Sequence, residues 1–570
     1  MQIIASAPHN APPTAAQHAE APGLTNETPF GVINWASKRQ LVRKSPINTL
    51  PEEIILHIFK SGMSSRNSQK RIDFAVSVSR VCHTWRTVAF SCSSLWADIT
   101  ITADSMYNID GDLAIINSSL LRAKEFASRS RVFPLSVRLK LFVTHSSEYL
   151  RLSTIVIMNW LRWVLPRVKY LSVHCDTLDI LWLVMKHLQT VPMEILETCK
   201  MKYGTTALSF YPSIDPPPPT RFLFLADQTD GQSMDNFFPT LTLPKLTRIK
   251  VSGLPVSWSQ WSFTRLTSLS INFMTLHDRP SMEVLKFILT INSETLEKFE
   301  IQGAIQRFGT VPRDASELPT TLPRLTDLTL GYLSQWEAII FFLHFEASAL
   351  KHLKLCDISR SVLIQHWPQD FKDGFYLNNP IPQNFYALLP FNDFSSTTLL
   401  EHLIHETSPL EQVETLTLEH FSLQPVFSKA FLQNNDPLKH HYGARIVLAY
   451  RMLQSCSQLR CLTLIDPEEC FIHALNMYPD GADIKCSEPA PALTHLYLAS
   501  PHPDRLMLFS KRRAESIAEE KGLHVLDYLE LATEKKDVGR LLEAIVSDRL
   551  DLSRLAKSSL VAEWKERFNT

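Results

Sequence analysis

A six-residue string, apolar-x-x-apolar-x-apolar, recurs along most of this chain and restricts it to folds that stack one small unit on the next. It appears at Val168-Leu171-Val173, Leu246-Ile249-Val251, Leu266-Leu269-Ile271, Leu296-Phe299-Ile301, Leu325-Leu328-Leu330 and Leu350-Leu353-Leu355. It resumes at Val413-Leu416-Leu418, Leu459-Leu462-Leu464, Leu493-Leu496-Leu498 and Leu526-Leu529-Leu531, with a weaker copy at Leu196-Cys199-Met201. Starts at 246, 266, 296, 325 and 350 lie 20, 30, 29 and 25 residues apart, and those at 459, 493 and 526 lie 34 and 33 apart. The last two apolar positions of each copy have the two-residue period of a strand, so each predicts a short strand with one buried face. Helical spacing precedes several copies, over 282–290, 336–345 and 446–453. A unit this small cannot bury its own apolar side; stacked units share one core.

Lengths and template are similar to leucine-rich repeats, which implies an α/β solenoid of curved parallel strands with outer helices, placed here over 130–535. The gap of 63 residues between the copies starting at 350 and 413 is about two units long and holds an aromatic, proline-rich stretch, Trp367 to Phe394. It reads as an insertion around 360–400 or a degenerate repeat, with Trp367, Phe371, Phe375 and Tyr376 either exposed or packed. Strand residues between the core positions would line the concave side: Arg248 and Lys250, Ser268 and Ser270, Lys298 and Glu300, Asp327 and Thr329, His352 and Lys354, Thr415 and Thr417, His495 and Tyr497. Of these, Arg248, Lys250, Lys298, Glu300, Asp327, His352 and Lys354 are the candidate contacts to a protein target. Val538, Leu541, Leu542, Ile545 and Arg549 fall at helical spacing and predict a cap over 536–570.

Charge narrows the partner class. With 57 basic and 58 acidic residues, a formal net charge of −1, neither nucleic acid nor an anionic membrane is favoured. Nine cysteines, scattered and never as C-x-x-C, fit neither a disulfide framework nor a zinc site and predict buried thiols in a reducing compartment. Without a signal-peptide pattern or a membrane-length apolar run, the expected location is cytoplasm, nucleus or both. Residues 1–30, rich in Ala, Pro, His and Asn, read as a disordered lead-in, and 31–45 as a basic linker containing Lys38, Arg39, Arg43 and Lys44.

Residues 46–101 carry a different pattern. Thr49 offers an N-cap with Glu52 three residues on and Pro51 in the first turn, and Ile54, Ile55, Ile58 and Phe59 gather on one helical face. The polar stretch Ser61 to Asp73 reads as a loop. A second helix is predicted from the stripe Phe74, Val78, Val81, Cys82, Trp85, Val88 and Ala89, followed by Leu95, Trp96, Ile99 and Ile101.

This segment resembles the F-box in the form common in basidiomycete fungi. The matching residues are Pro46-Ile47-Asn48, Leu50-Pro51-Glu52-Glu53-Ile54-Ile55, Ile58-Phe59, Ser79-Arg80-Val81-Cys82-His83-Thr84-Trp85-Arg86, Val88-Ala89, and Leu95-Trp96 with Ile99. The resemblance implies a small all-α bundle whose open apolar face packs on a Skp-type adaptor and, through it, a cullin. The implied contacts are Ile47, Leu50, Pro51, Ile54, Ile58, Val81, Cys82 and Trp85, while Phe59, Val88, Ala89 and Trp96 read as internal packing.

No enzymatic or cofactor motif competes. The sequence lacks G-x-G-x-x-G, G-x-x-x-x-G-K-[ST] and G-x-S-x-G, and no catalytic, cofactor-binding or metal residue is assigned. His402-Leu403-Ile404-His405-Glu406 has the wrong order for a zinc-protease helix and reads as a solvated face, and His440-His441 as a loop pair. The expectation is therefore a non-catalytic substrate-recognition adaptor of a Skp/cullin/F-box ubiquitin ligase. The alternative is an F-box or repeat scaffold that assembles proteins without ubiquitination.

Overall fold

The computed structural model describes residues 50–64, 68–103, 106–109, 112–143, 147–204, 243–254, 256, 258, 261–274, 278–305, 319–358, 396–405, 409–421, 423, 438–465, 467–475, 490–499 and 528–531. Ile47, Thr49, the lead-in, the aromatic stretch at 367–394 and the cap over 536–570 lie outside them.

Three short helices come first: α1 (Glu52–Ser64), α2 (Ser68–Val78) and α3 (His83–Ser91), closed by a 3-10 turn at Ser93–Trp96. Two sequence expectations fail here. The stretch 61–73 is mostly helical, because Gly62 lets α1 approach α2; a Cβ at Gly62 would sit 2.5 Å from the Phe74 ring. The helix predicted through 74–89 is two helices. It breaks at Cys82, whose extended backbone (φ −155°) caps α3 while its Sγ accepts from Trp85 N–H at 3.5 Å. The apolar stripe continues across the break because both helices feed one core.

The sheet strands follow in chain order. They are β1 (Asp98–Thr102), a hairpin of β2 (Met106–Ile109) and β3 (Asp112–Asn117), β4 (Leu135–Leu141), β5 (Val168–Cys175) and β6 (Thr198–Tyr203). Next come β7 (Arg248–Ser252), β8 (Ser268–Asn272), β9 (Lys298–Gln302), β10 (Thr320–Thr321), β11 (Asp327–Tyr332), β12 (Phe345–Glu346) and β13 (His352–Asp357). The last are β14 (Thr415–Glu419), β15 (Cys461–Ile465), β16 (His495–Ala499) and β17 (Tyr528–Leu531).

Among the described residues one sheet of 13 strands runs β1-β4-β5-β6-β7-β8-β9-β11-β13-β14-β15-β16-β17, with every neighbouring pair parallel. Small helices followed by a large parallel sheet with covering helices is an arrangement compatible with an α/β solenoid. Eleven of those strands sit on the copies named in the sequence analysis. The other two are β4, inside the expected 130–535 span, and β1, which moves the start of the sheet from residue 130 to Asp98, inside the segment read as the helical unit. Between β13 and β14 the bonding is direct and parallel, with Leu353 opposite Leu416 and Leu355 opposite Leu418.

Register explains why the template is so regular. Leu328, Leu353, Leu416, Leu462, Leu496 and Leu529 stand opposite one another on successive strands, and Leu330, Leu355, Leu418, Leu464, Leu498 and Leu531 form the next row. A one-residue slip would turn both rows to the other face and strand them in water.

The buried side is covered by helices α4 (Ser118–Arg129), α5 (Ser147–Leu161), α6 (Leu178–Gln189), α7 (Met282–Thr290), α8 (Gln335–His344), α9 (Thr397–His405), α10 (Leu438–Ser455) and α11 (Glu469–Leu475). Neighbours α8 to α11 pack in sequence. Helix α7 keeps its predicted bounds, α8 starts one residue early, and α10 extends back through His440 and His441, which the sequence had placed in a loop. His402 is a further correction. It is buried, not solvated, because α9 is packed between α8 and α10.

Candidate functional site

The first 50 described residues separate their apolar side chains into two sets. Ile55, Phe59, Ile72, Ala75, Val78, Val88, Ala89, Cys92, Leu95 and Trp96 are sealed inside. Against that core, Ile54, Ile58 and Val81 remain 48%, 39% and 59% exposed. Pro51 is also exposed, and Leu50, Cys82 and Trp85 are half-buried.

Helical geometry produces this split. Ile54 and Ile58 are four apart and share a face of α1; Ile55 and Phe59 share the adjacent face one step round, which turns inward. Val81 reaches solvent because it lies in the turn between α2 and α3, where no helix covers it. Trp85 is tied to the interior by an edge-on contact with Phe59, ring centroids 5.2 Å apart. Phe59, Val88, Ala89 and Trp96, read from the sequence as internal packing, are each no more than 2% exposed.

The unit is fused to the sheet. Trp96 donates its indole N–H to Ala89 O at 2.7 Å, meets Phe126 of α4 edge-on at 4.9 Å, and is covered by the Arg129 guanidinium at 4.5 Å. Asp98, at the start of β1, takes Arg71 from α2 at 3.1 Å and Arg138 from β4 at 3.0 Å.

Outward residues of the sheet behave differently from the helical face. Lys250 reaches across β8 to Glu300 at 3.0 Å, and Glu300 also accepts from Ser270 Oγ at 2.7 Å and Asn272 Nδ2 at 2.8 Å. Burial alone would raise the Glu300 carboxyl; these donors and the Lys250 charge outweigh it and hold the group below the usual carboxylate range. Lys298 pairs with Asp327 at 3.1 Å, and Lys354 with Glu419. Arg248 and His352 stand exposed on the same face.

Four basic positions were missed in the sequence. Arg138 and Lys140 lie on β4, which lacks the leading apolar residue of the template; Lys200 and Lys202 lie on the weak copy at β6. The alternation Leu135-Ser136-Val137-Arg138-Leu139-Lys140-Leu141 was the available signal.

Burial pushes the thiols of Cys175, Cys199 and Cys456 up to about 12, which makes them packing residues rather than nucleophiles. No helix among the described residues is long and apolar enough to cross a membrane.

Residues 47–102 match the F-box-like family model. The match ends at Thr102, the last residue of β1, so the first strand of the sheet belongs to the matched segment. A comparison with curated proteins finds no matching relative.

Proposed function

We propose that this chain is the substrate-recognition adaptor of a Skp/cullin/F-box ubiquitin ligase, holding the Skp-type subunit through the helical unit and a protein target through the sheet. The observation that carries the reading is the exposure of Ile54, Ile58 and Val81 on a unit that seals Ile55, Phe59, Ile72, Val78, Val88, Leu95 and Trp96 inside. Fully burying such a side chain is worth about 1.5–3 kcal/mol, and since these three are already about half covered, docking adds roughly half of that for each. Leu50, Pro51, Cys82 and Trp85 border this face, and Ile47 extends it by the F-box resemblance. In this reading 46–101 is the F-box domain, the parallel sheet is a leucine-rich-repeat-like solenoid running to about residue 535, and the whole is of the fungal F-box type. The chain performs no chemistry; it raises the local concentration of target lysines beside a charged conjugating enzyme. Cytoplasm or nucleus is the compartment such a role requires.

Co-purification tests the joint. Ile54→Glu with Ile58→Glu places two charges at the centre of the docking face and abolishes recovery of the Skp-type subunit, while thermal unfolding stays within a few degrees of wild type. Trp85→Ala is a poorer probe because it also removes the contact with Phe59. If the purified chain captures no Skp-type subunit where a control F-box does, the adaptor reading is abandoned. Ubiquitination of a bound protein in the reconstituted ligase separates the ligase reading from an assembly scaffold.

A further inference from the structure

Charge on the open face of the sheet is unevenly spread. Register places Ser136, Tyr170, Thr198 and Arg248 in one row across β4–β7, Arg138, Ser172, Lys200 and Lys250 in the next, and Lys140, His174, Lys202 and Ser252 in the third. These positions hold six lysines or arginines and not one carboxylate. The corresponding positions of β8, β9 and β11 hold Lys298 with Glu300 and Asp327, a net negative set.

The bordering acids are already committed. Asp98 is held by Arg71 and Arg138, and Glu300 by Lys250. Lys140, Lys200, Lys202 and Arg248 are exposed, and none has a carboxylate within ion-pair distance among the described residues. Strands about 4.8 Å apart keep these cations close enough to repel one another. His174 registers that field: burial first, then the charges of Lys202 and Lys140, push its imidazole below its usual range.

Towards the helical unit the same face opens into a cleft of about 690 Å³ lined by Lys60, Arg71, Arg138, Lys169 and Arg248. Its two acids, Asp98 and Glu197, are both neutralised, the second by Lys169 at 3.0 Å.

We propose that this basin is the docking site for an acidic segment of a protein partner, a short run of aspartate and glutamate side chains crossing β4–β7 with one end in the cleft. Spanning four strands takes about five extended residues at roughly 3.3 Å each. A protein segment fits better than nucleic acid for two reasons. The carboxylate-free rows end at β7, beyond which Lys298 and Lys354 are paired with Asp327 and Glu419, and the aromatic Tyr170 is already covered by Arg138 at 4.7 Å and Lys200 at 5.5 Å rather than open for a base to stack on. The proposal rests on the reading of the sheet as the target-binding part and names the class of target.

The test uses the full chain and fluorescence anisotropy with three labelled probes: an Asp/Glu decapeptide, a Gly/Ser decapeptide and a ten-nucleotide single strand. Lys200→Glu with Lys202→Glu is compared with Arg122→Glu plus Lys124→Glu, the same charge change on the exposed side of α4. The acidic peptide binds at low salt, the neutral one does not, and the first pair weakens binding at least tenfold while the second leaves it within twofold. If Lys200→Glu with Lys202→Glu lowers the melting temperature, Lys200→Gln with Lys202→Gln replaces it, with a loss of threefold or more expected. Absence of acidic-peptide binding, equal weakening by both pairs, or tighter binding of the oligonucleotide through the same lysines overturns the proposal. Capture of the Skp-type subunit is measured on the same variants; its retention with no peptide binding sinks the basin alone, and its absence in wild type sinks the adaptor reading alone.

Discussion

At Asn292 three backbone groups from different parts of one turn depend on a single buried amide. Its Oδ1 accepts from Leu266 N–H at 2.8 Å, and its Nδ2 donates to Phe263 O at 3.1 Å and Ile288 O at 2.9 Å. Asn292→Ala removes all three of these bonds at once, an expected loss of about 2–4 kcal/mol in urea unfolding; a loss under 0.5 kcal/mol would show that water takes the place of the amide. Glu300 gives a pH-dependent counterpart. Its folded pKa is depressed, so its stabilisation is complete above the unfolded value of about 4.3 and disappears as pH falls through the lower folded value. The melting-temperature difference between wild type and Glu300→Gln is therefore largest near neutrality and closes in acid. A difference that does not change with pH would mean that the carboxylate gains nothing from Lys250, Ser270 and Asn272.

Elements are joined by close backbone approaches that one added methyl group tests. Gly253, just after β7, has φ +70°, and a Cβ there would stand 2.6 Å from Tyr203 O. Left-handed backbone favours glycine and a carbonyl cannot step aside, so Gly253→Ala is expected to cost about 1–3 kcal/mol and to loosen β6 and β7, read as faster amide exchange on those two strands. Uniform exchange across the sheet would argue against a local junction. Eleven of the sheet strands were legible from the string; β1 was passed over although Trp96, Ile99 and Ile101 fit it, because those residues directly follow the helical stripe and read as its continuation. β4 was also passed over, because the leading position in its register is Pro134 and its four inward residues, Leu135, Val137, Leu139 and Leu141, simply alternate. The 61–73 segment misled for the opposite reason: its serines and Gly62 favour turns in isolation, but the Phe74 ring packs on Gly62 and holds both helices in place.

On the scale of the whole molecule, the helical unit and the sheet share one continuous core. Trp96, Phe126 and the Arg71–Asp98–Arg138 pairs cross the boundary, so α1–α3, β1 and β4 should open together. Hydrogen exchange in low denaturant is expected to show equal opening free energies for these elements; a helical unit that exchanges freely while β1 stays protected would contradict this. The sequence by itself determined the order of most strands, the common phase of their apolar positions and the F-box-like character of 47–102. Each of these is written in a local period, and a repeat of apolar spacing needs no distant partner to be read. It also placed the candidate docking residues of α1 and the turn before α3, but not which of them face solvent. Exposure of Ile54 against burial of Ile55, pairing of Lys250 with Glu300 50 residues away, and the gathering of Arg138, Lys200, Lys202 and Arg248 on one basic face were decided by tertiary structure. These depend on which strand lies beside which, and the register linking residues far apart in the chain exists only once the sheet has formed.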